Sequence, residues 1–202
     1  MQAMWTLRGW LPPFHQSEVA SLCKTVATDY PVRKVLEIGI VFGQALEVLS
    51  KVLPNVEFVG VSNDTVTVLR LEQFFRTRAN VKLVKEEFDN LQNYADGSFD
   101  ISYSCGVLSL YDKKEATAIL KELRRVTSGN IFLLEMQALG EHDSEMTFYD
   151  PQAFSNVWVR DYAKFAEEVL GNEGRNVICN RVERPLWEGA FWHNYGSVIT
   201  IR

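Results

Sequence analysis

The residues best suited to chemistry lie in one short stretch, EIGIVFG, where Glu37, Gly39 and Gly43 bracket Ile40 and Phe42. A carboxylate at the end of an apolar run can receive a cationic group or a hydroxyl. Glycines at 39 and 43 allow a tight bend, and the residues after Gly43 read as a helix. The first N–H groups of a helix are unpaired and partially positive, so the same bend suits a carboxylate or a phosphate. Far along the chain, His142 in LGEHDSEM is a side chain that exchanges a proton near neutral pH. Its neighbours Glu141, Asp143 and Glu145 offer oxygen ligands for a divalent cation, but four residues on one loop are a weak signal and no metal is expected.

The elements that must position these groups follow from periodicity. Val35, Leu36 and Ile38 form a buried strand before the bend; Ala45, Val48, Leu49, Val52 and Leu53 share one helical face after it, and Pro54 closes the helix. Strand, glycine turn and helix make the first unit of an open α/β sheet, whose ligands sit beyond the carboxyl ends of the strands where the order reverses. Residues 56–61 predict a second strand ending in a polar turn, with Asn63 or Asp64 capping a helix to about residue 78. Val81, Leu83 and Val84 predict a third strand, followed by the acidic KEEFDN; Phe99, Ile101 and Tyr103 alternate into a fourth. Asp112 with Glu115 resembles a capping box, and the helix it opens buries Ala116, Ile119, Leu120 and Leu123. Lys121, Arg124 and Arg125 suit that helix's C-terminal dipole.

Residues 131–134 predict a fifth strand, and from 137 to 150 no pattern is visible, which is the mark of a functional or mobile loop. Tyr162, Phe165, Ala166 and Val169 give a helix between the cap Asp161 and Gly171. Residues 177–182 and 197–201 are two closing strands joined by WEGAFWHNY. At the other end, Trp5, Trp10 and Phe14 are expected to pack onto the domain, with a lid or a dimer contact as the alternative. Val19, Leu22, Cys23, Val26 and Ala27 trace a helical stripe behind them.

Composition narrows the class. The chain of 202 residues reads as a single domain, 1–202, with ordinary globular usage of 47% hydrophobic and 23% charged residues. A net charge of -5 gives no electrostatic footprint for nucleic acid or an anionic membrane. Three cysteines, Cys23, Cys105 and Cys179, lie far apart, which favours a reduced, cytoplasmic protein. There is no long apolar core of a signal peptide and no membrane-length run.

EIGIVFG, a strand ending in GVSND, and DGSFDISYSCGVLSLY before a helix ending in RRV together resemble a class I S-adenosylmethionine-dependent methyltransferase. The resemblance covers about residues 32–136 and implies a Rossmann-like, seven-stranded, mostly parallel sheet with helices on both faces and an antiparallel C-terminal hairpin strand. It implies S-adenosylmethionine as cofactor, with Glu37, Gly39, Ile40, Phe42 and Gly43 at its methionine end. Glu87 and Phe88 would read the adenine, and Ser104 with Cys105 would lie under the transferring methyl. Two positions depart from the pattern: Val41 replaces a frequent glycine, and Ser62 stands where a carboxylate normally accepts both ribose hydroxyls. Asp64 is the nearest substitute, in competition with its role as a helix cap.

The resemblance also implies a small-molecule hydroxyl or amine as methyl acceptor and places His142, on the loop after the fifth strand, as candidate base. Trp187, Trp192, His193 and Tyr195 are candidates for an aromatic acceptor wall, although hairpin packing explains them at least as well. The rival expectation is a non-catalytic, methyltransferase-like binding or scaffold protein with a degenerate cofactor site. A homodimer through the aromatic N-terminus is compatible with either.

Overall fold

The computed structural model describes residues 31–136, 146–150, 155–171, 176–181 and 196–202. Its first half alternates strand and helix: β1 (Lys34–Ile38), α1 (Gln44–Val52), β2 (Glu57–Ser62), α2 (Thr65–Phe75), β3 (Val81–Lys85) and β4 (Phe99–Cys105). A 3₁₀ turn (Leu108–Leu110) then leads into α3 (Lys113–Val126) and β5 (Thr127–Met136). A hairpin of β6 (Met146–Asp150) and β7 (Ser155–Val159) precedes α4 (Tyr162–Leu170), β8 (Val177–Arg181) and β9 (Gly196–Ile201).

Seven strands form one sheet in the order β3-β2-β1-β4-β5-β9-β8. The pairs among β1 to β5 are parallel, whereas β9 runs antiparallel to both β5 and β8. The expected mostly parallel sheet with an antiparallel closing pair is therefore present. The chain leaves β1 toward β2 on one side and later returns to β4 on the other, so the order reverses beside β1.

Why the strands read as unbroken apolar runs is clear from the two cores. Val35 packs on one face with Ala45, Leu46 and Leu49 of α1 and Leu71 and Phe75 of α2. Leu36 and Ile38 pack on the other face with Ile119, Leu120 and Leu123 of α3 and Phe165 and Ala166 of α4. A strand covered on both faces has no polar side to display.

Helix ends follow the chemistry of their caps. Asp112 accepts the Glu115 N–H at 2.8 Å while Glu115 accepts the Asp112 N–H at 3.2 Å, the reciprocal capping box. Asp161 accepts the Lys164 N–H at 3.1 Å, and the Gly171 N–H closes α4 on the Glu167 carbonyl at 2.9 Å. Arg125 does more than meet a helix dipole. It donates to the carbonyls of Tyr94 and Leu91 at 2.9 and 3.0 Å and pairs with Glu122 and Asp96, tying the β3–β4 connection to α3. At the opposite edge of β4, Asp100 accepts the N–H groups of Arg33 and Lys34 at 2.7 and 2.8 Å and fixes where β1 begins.

Two expectations change. The fifth strand is longer than residues 131–134 at both ends, because β4 pairs with it from Thr127 and β9 carries the ladder on to Met136. The segment expected to be unpatterned to residue 150 contains β6 from Met146 onward, paired with β7. The N-terminal segment with Trp5, Trp10 and Phe14 and the stripe at 19–27 lies outside the described residues.

Candidate active site

The crevice at the switch point is bounded by the ends of β1 and β4. Glu37 is buried, and its Oε2 accepts the Tyr103 hydroxyl at 2.8 Å. Burial pushes its carboxyl up to about 7, with the tyrosine bond pulling the other way. Directly after β1 the chain turns through Gly39 at φ 74°, and the Gly39 and Ile40 N–H groups donate to the Val61 carbonyl at 2.9 and 3.1 Å. Ile40 is buried, and Phe42 is half-buried with the Arg70 guanidinium 5.7 Å from its ring centre. Arg70 also donates to the Val41 carbonyl, so α2 holds the bend.

Gly43, at φ 67°, is the N-cap of α1 and gives it no side-chain cap. The first helical bond runs from the Glu47 N–H to the Gly43 carbonyl at 2.8 Å, so the N–H groups of Gln44, Ala45 and Leu46 precede it. Gln44 adds a buried Oε1 that has no hydrogen-bond partner among the described residues. The two glycines answer to the chain's own packing as well as to backbone conformation. A Cβ on Gly39 would lie 2.1 Å from Val107 Cγ2, and one on Gly43 2.8 Å from the Phe75 ring.

At the end of β2, Ser62 is buried and its Oγ accepts the Asp64 N–H at 3.3 Å. Asp64 is the N-cap of α2: its carboxylate accepts the Thr67 N–H at 2.8 Å and the Val66 N–H at 3.4 Å. Those bonds, Thr67's first, hold the Asp64 carboxyl below its usual range. Asn63 Nδ2 donates to the Tyr111 hydroxyl at 3.2 Å, a link from the end of β2 to the segment after β4. Glu87 is exposed and pairs with Lys85 at 3.0 Å. Phe88 is buried, its ring edge-on to Tyr111 at 6.2 Å and packed in the α3–α4 core.

Ser104 is fully buried at the end of β4, with its Oγ 3.4 Å from Glu135 Oε1. Cys105 is half-buried beside it. Glu135 and Arg160, which no periodicity or motif in the sequence marks, are both buried next to this wall. A lone carboxylate inside IFLLEM was the available signal, since a charge in an otherwise apolar strand needs partners. His142, Glu141, Asp143, Glu145, Trp187, Trp192, His193 and Tyr195 lie outside the described residues.

Residues 35–130 match the family model of the methyltransferase domain. A methyltransferase domain is thus matched over a little under half of the chain, from β1 to the start of β5. Solved structures share this methyltransferase fold at low sequence identity. The [4+2]-cyclase SpnF is 15% identical, with 91% of this chain and 80% of that one aligned at a TM-score of 0.71. The 1,6-didemethyltoxoflavin-N1-methyltransferase of Burkholderia thailandensis, solved with S-adenosylhomocysteine, is 14% identical over 93% and 77% at 0.70. The magnesium protoporphyrin IX methyltransferase of Synechocystis, solved with S-adenosylmethionine, is 14% identical over 93% and 78% at 0.61. No curated protein matches in sequence. No helix among the described residues is long and apolar enough to cross a membrane.

Proposed function

We propose that this methyltransferase moves a methyl group from S-adenosylmethionine to a hydroxyl or amine of a small molecule. The observation that carries the proposal is a complementarity at one bend. A buried acceptor carboxylate, Glu37, precedes a helix end whose N–H groups lack a side-chain cap. An amino-acid moiety brings an ammonium for the first and a carboxylate for the second. Gln44 adds an acceptor without a partner of its own among the described residues. On this reading Glu37, Gly39, Ile40, Phe42, Gly43 and Gln44 hold the methionine end. Ser62 lies at the ribose, Glu87 is the exposed acceptor for the adenine amine with Phe88 behind it, and Ser104 lies under the reacting centre.

The bound cofactor supplies an electrophilic methyl on a sulfonium. What the chain contributes is position and exclusion of water, which suffices for a displacement whose leaving group is already activated. A base is then optional, and His142 is our candidate for an acceptor of high pKa. Two of the similar structures are named for small-molecule substrates, which supports the acceptor class.

A second reading, a binding protein that does not turn over, is favoured by the end of β2. Ser62 is neutral, and the Asp64 carboxylate is committed to capping α2. The fold alone does not decide, because it is shared with a protein named as a cyclase. Incubation with methyl-labelled S-adenosylmethionine and a panel of phenols, amines and sugars separates the two. Labelled product with any acceptor supports the transferase; cofactor binding with no product across the panel supports the binder.

A further inference from the structure

The segment after β4 is gripped from both sides by buried charges. Glu135, on β5, receives the Val107 and Leu108 N–H groups on Oε1 at 3.1 and 3.0 Å and the Ser109 N–H on Oε2 at 3.2 Å. From the other side Arg160, at the start of α4, donates to the Leu108 carbonyl at 3.0 Å and the Tyr111 carbonyl at 2.6 Å. The guanidinium is itself enclosed by Trp158, Tyr162 and Phe165, at 5.4, 5.7 and 5.7 Å from the ring centres. Both side chains are buried, at 0% and 5% exposure, so neither interaction is diluted by solvent.

The gripped segment is a wall of the switch-point crevice. Val107 Cγ2 occupies the space a Gly39 Cβ would need, and the Tyr111 hydroxyl is bonded to Asn63 at the end of β2. Burying two charges to pair with backbone groups is a poor route to stability alone, because apolar side chains would fill the same space without the desolvation cost. It is a good route to fixing a backbone within a fraction of an ångström.

We infer that Glu135 and Arg160 are positioning residues for methyl transfer, a carboxylate and a guanidinium that clamp residues 107–111 and so set the width of the cofactor crevice opposite Gly39. The inference rests on the proposed methyl-transfer reading of that crevice. Neither residue reaches the reacting atoms; each acts through the main chain it holds. The amide of Glu135→Gln presents a donor where the Ser109 N–H needs an acceptor, so the clamp opens with little change in shape.

The test measures S-adenosylhomocysteine affinity by calorimetry for the wild-type protein, E135Q and Val126→Ala. Val126 is buried where α3 meets the amino-terminal end of β5, the end of the strands opposite the crevice, and provides a variant of lowered stability with the site intact. E135Q is expected to bind about tenfold to a hundredfold more weakly, while V126A stays within about twofold of wild type. Amide exchange at Val107, Leu108 and Ser109 should accelerate in E135Q and not in V126A. If E135Q does not fold, Arg160→Lys, which keeps the charge but cannot span both carbonyls, takes its place in the same comparison. Wild-type binding with unchanged affinity in the clamp variant overturns this inference and leaves the methyl-transfer reading standing. Absence of binding by the wild-type protein overturns both.

Discussion

Gly39→Ala probes the packing of the crevice wall most sharply. At φ 74° any side chain costs about 1–2 kcal/mol of backbone strain. The new Cβ would also sit 2.1 Å from Val107 Cγ2, a separation that forces one of them to move. Val107 does not yield freely, because its N–H is bonded to Glu135. Overpacking of this kind costs about 1–3 kcal/mol, so the total is roughly 2–5 kcal/mol. Two references divide that figure. Gly97 has a similar φ of 65°, but its added Cβ would meet the Ser128 Cβ at an ordinary 3.5 Å, so Gly97→Ala reports backbone strain alone. Combining G39A with Val107→Ala removes the obstructing methyl. Urea denaturation of the four variants should show the double variant more stable than the sum of its parts by about 1–2 kcal/mol. Additivity within about 0.5 kcal/mol would refute the reasoning, because the Cβ would then have found room elsewhere.

Three further outcomes follow from the same geometry. Glu37 and Glu135 are both raised to about 7 from 4.5, so between those values the folded protein holds protons the unfolded chain has released. Their contribution to stability is therefore greatest at the acid end of that window and falls as pH rises through it. Glu37→Gln should gain on wild type by about 2 kcal/mol in denaturation experiments between pH 5 and pH 8; a difference independent of pH would count against it. Ser62→Asp should tighten S-adenosylhomocysteine binding roughly tenfold by restoring a charged acceptor for the ribose, read by fluorescence titration, and an unchanged or weaker affinity would move the ribose elsewhere. Arg125→Lys should lose about 1–2 kcal/mol because one ammonium cannot serve two carbonyls and two carboxylates, seen as a thermal midpoint lower by about 2–8 °C; an unshifted midpoint would mean the β3–β4 connection holds itself.

Most of the architecture was written in short-range patterns. Strands covered on both faces appear as apolar runs, and the caps Asp112, Asp161 and Gly171 announce themselves by type and position. The bend at Gly39 and Gly43 was legible because left-handed backbone selects glycine. What escaped were partners distant in sequence. Nothing near Glu135 shows that it will receive three N–H groups from residues 107–109, and nothing near Arg160 points to Leu108 and Tyr111. The β6–β7 hairpin was missed because MTFYD is short and follows a charged stretch, so its period-two pattern had too few residues to register. Asp64 illustrates the converse. Both of its possible roles were visible, and the Val66 and Thr67 N–H groups claim its carboxylate.

The most direct measurement is isothermal titration of S-adenosylhomocysteine into the wild-type protein and into Glu37→Gln, a variant that keeps an acceptor for Tyr103 but loses the negative charge. Saturable one-to-one heat is expected from the first and a large loss of affinity in the second. Heat absent from both, or identical in both, would contradict the assignment of that bend as the seat of the nucleoside's amino-acid end.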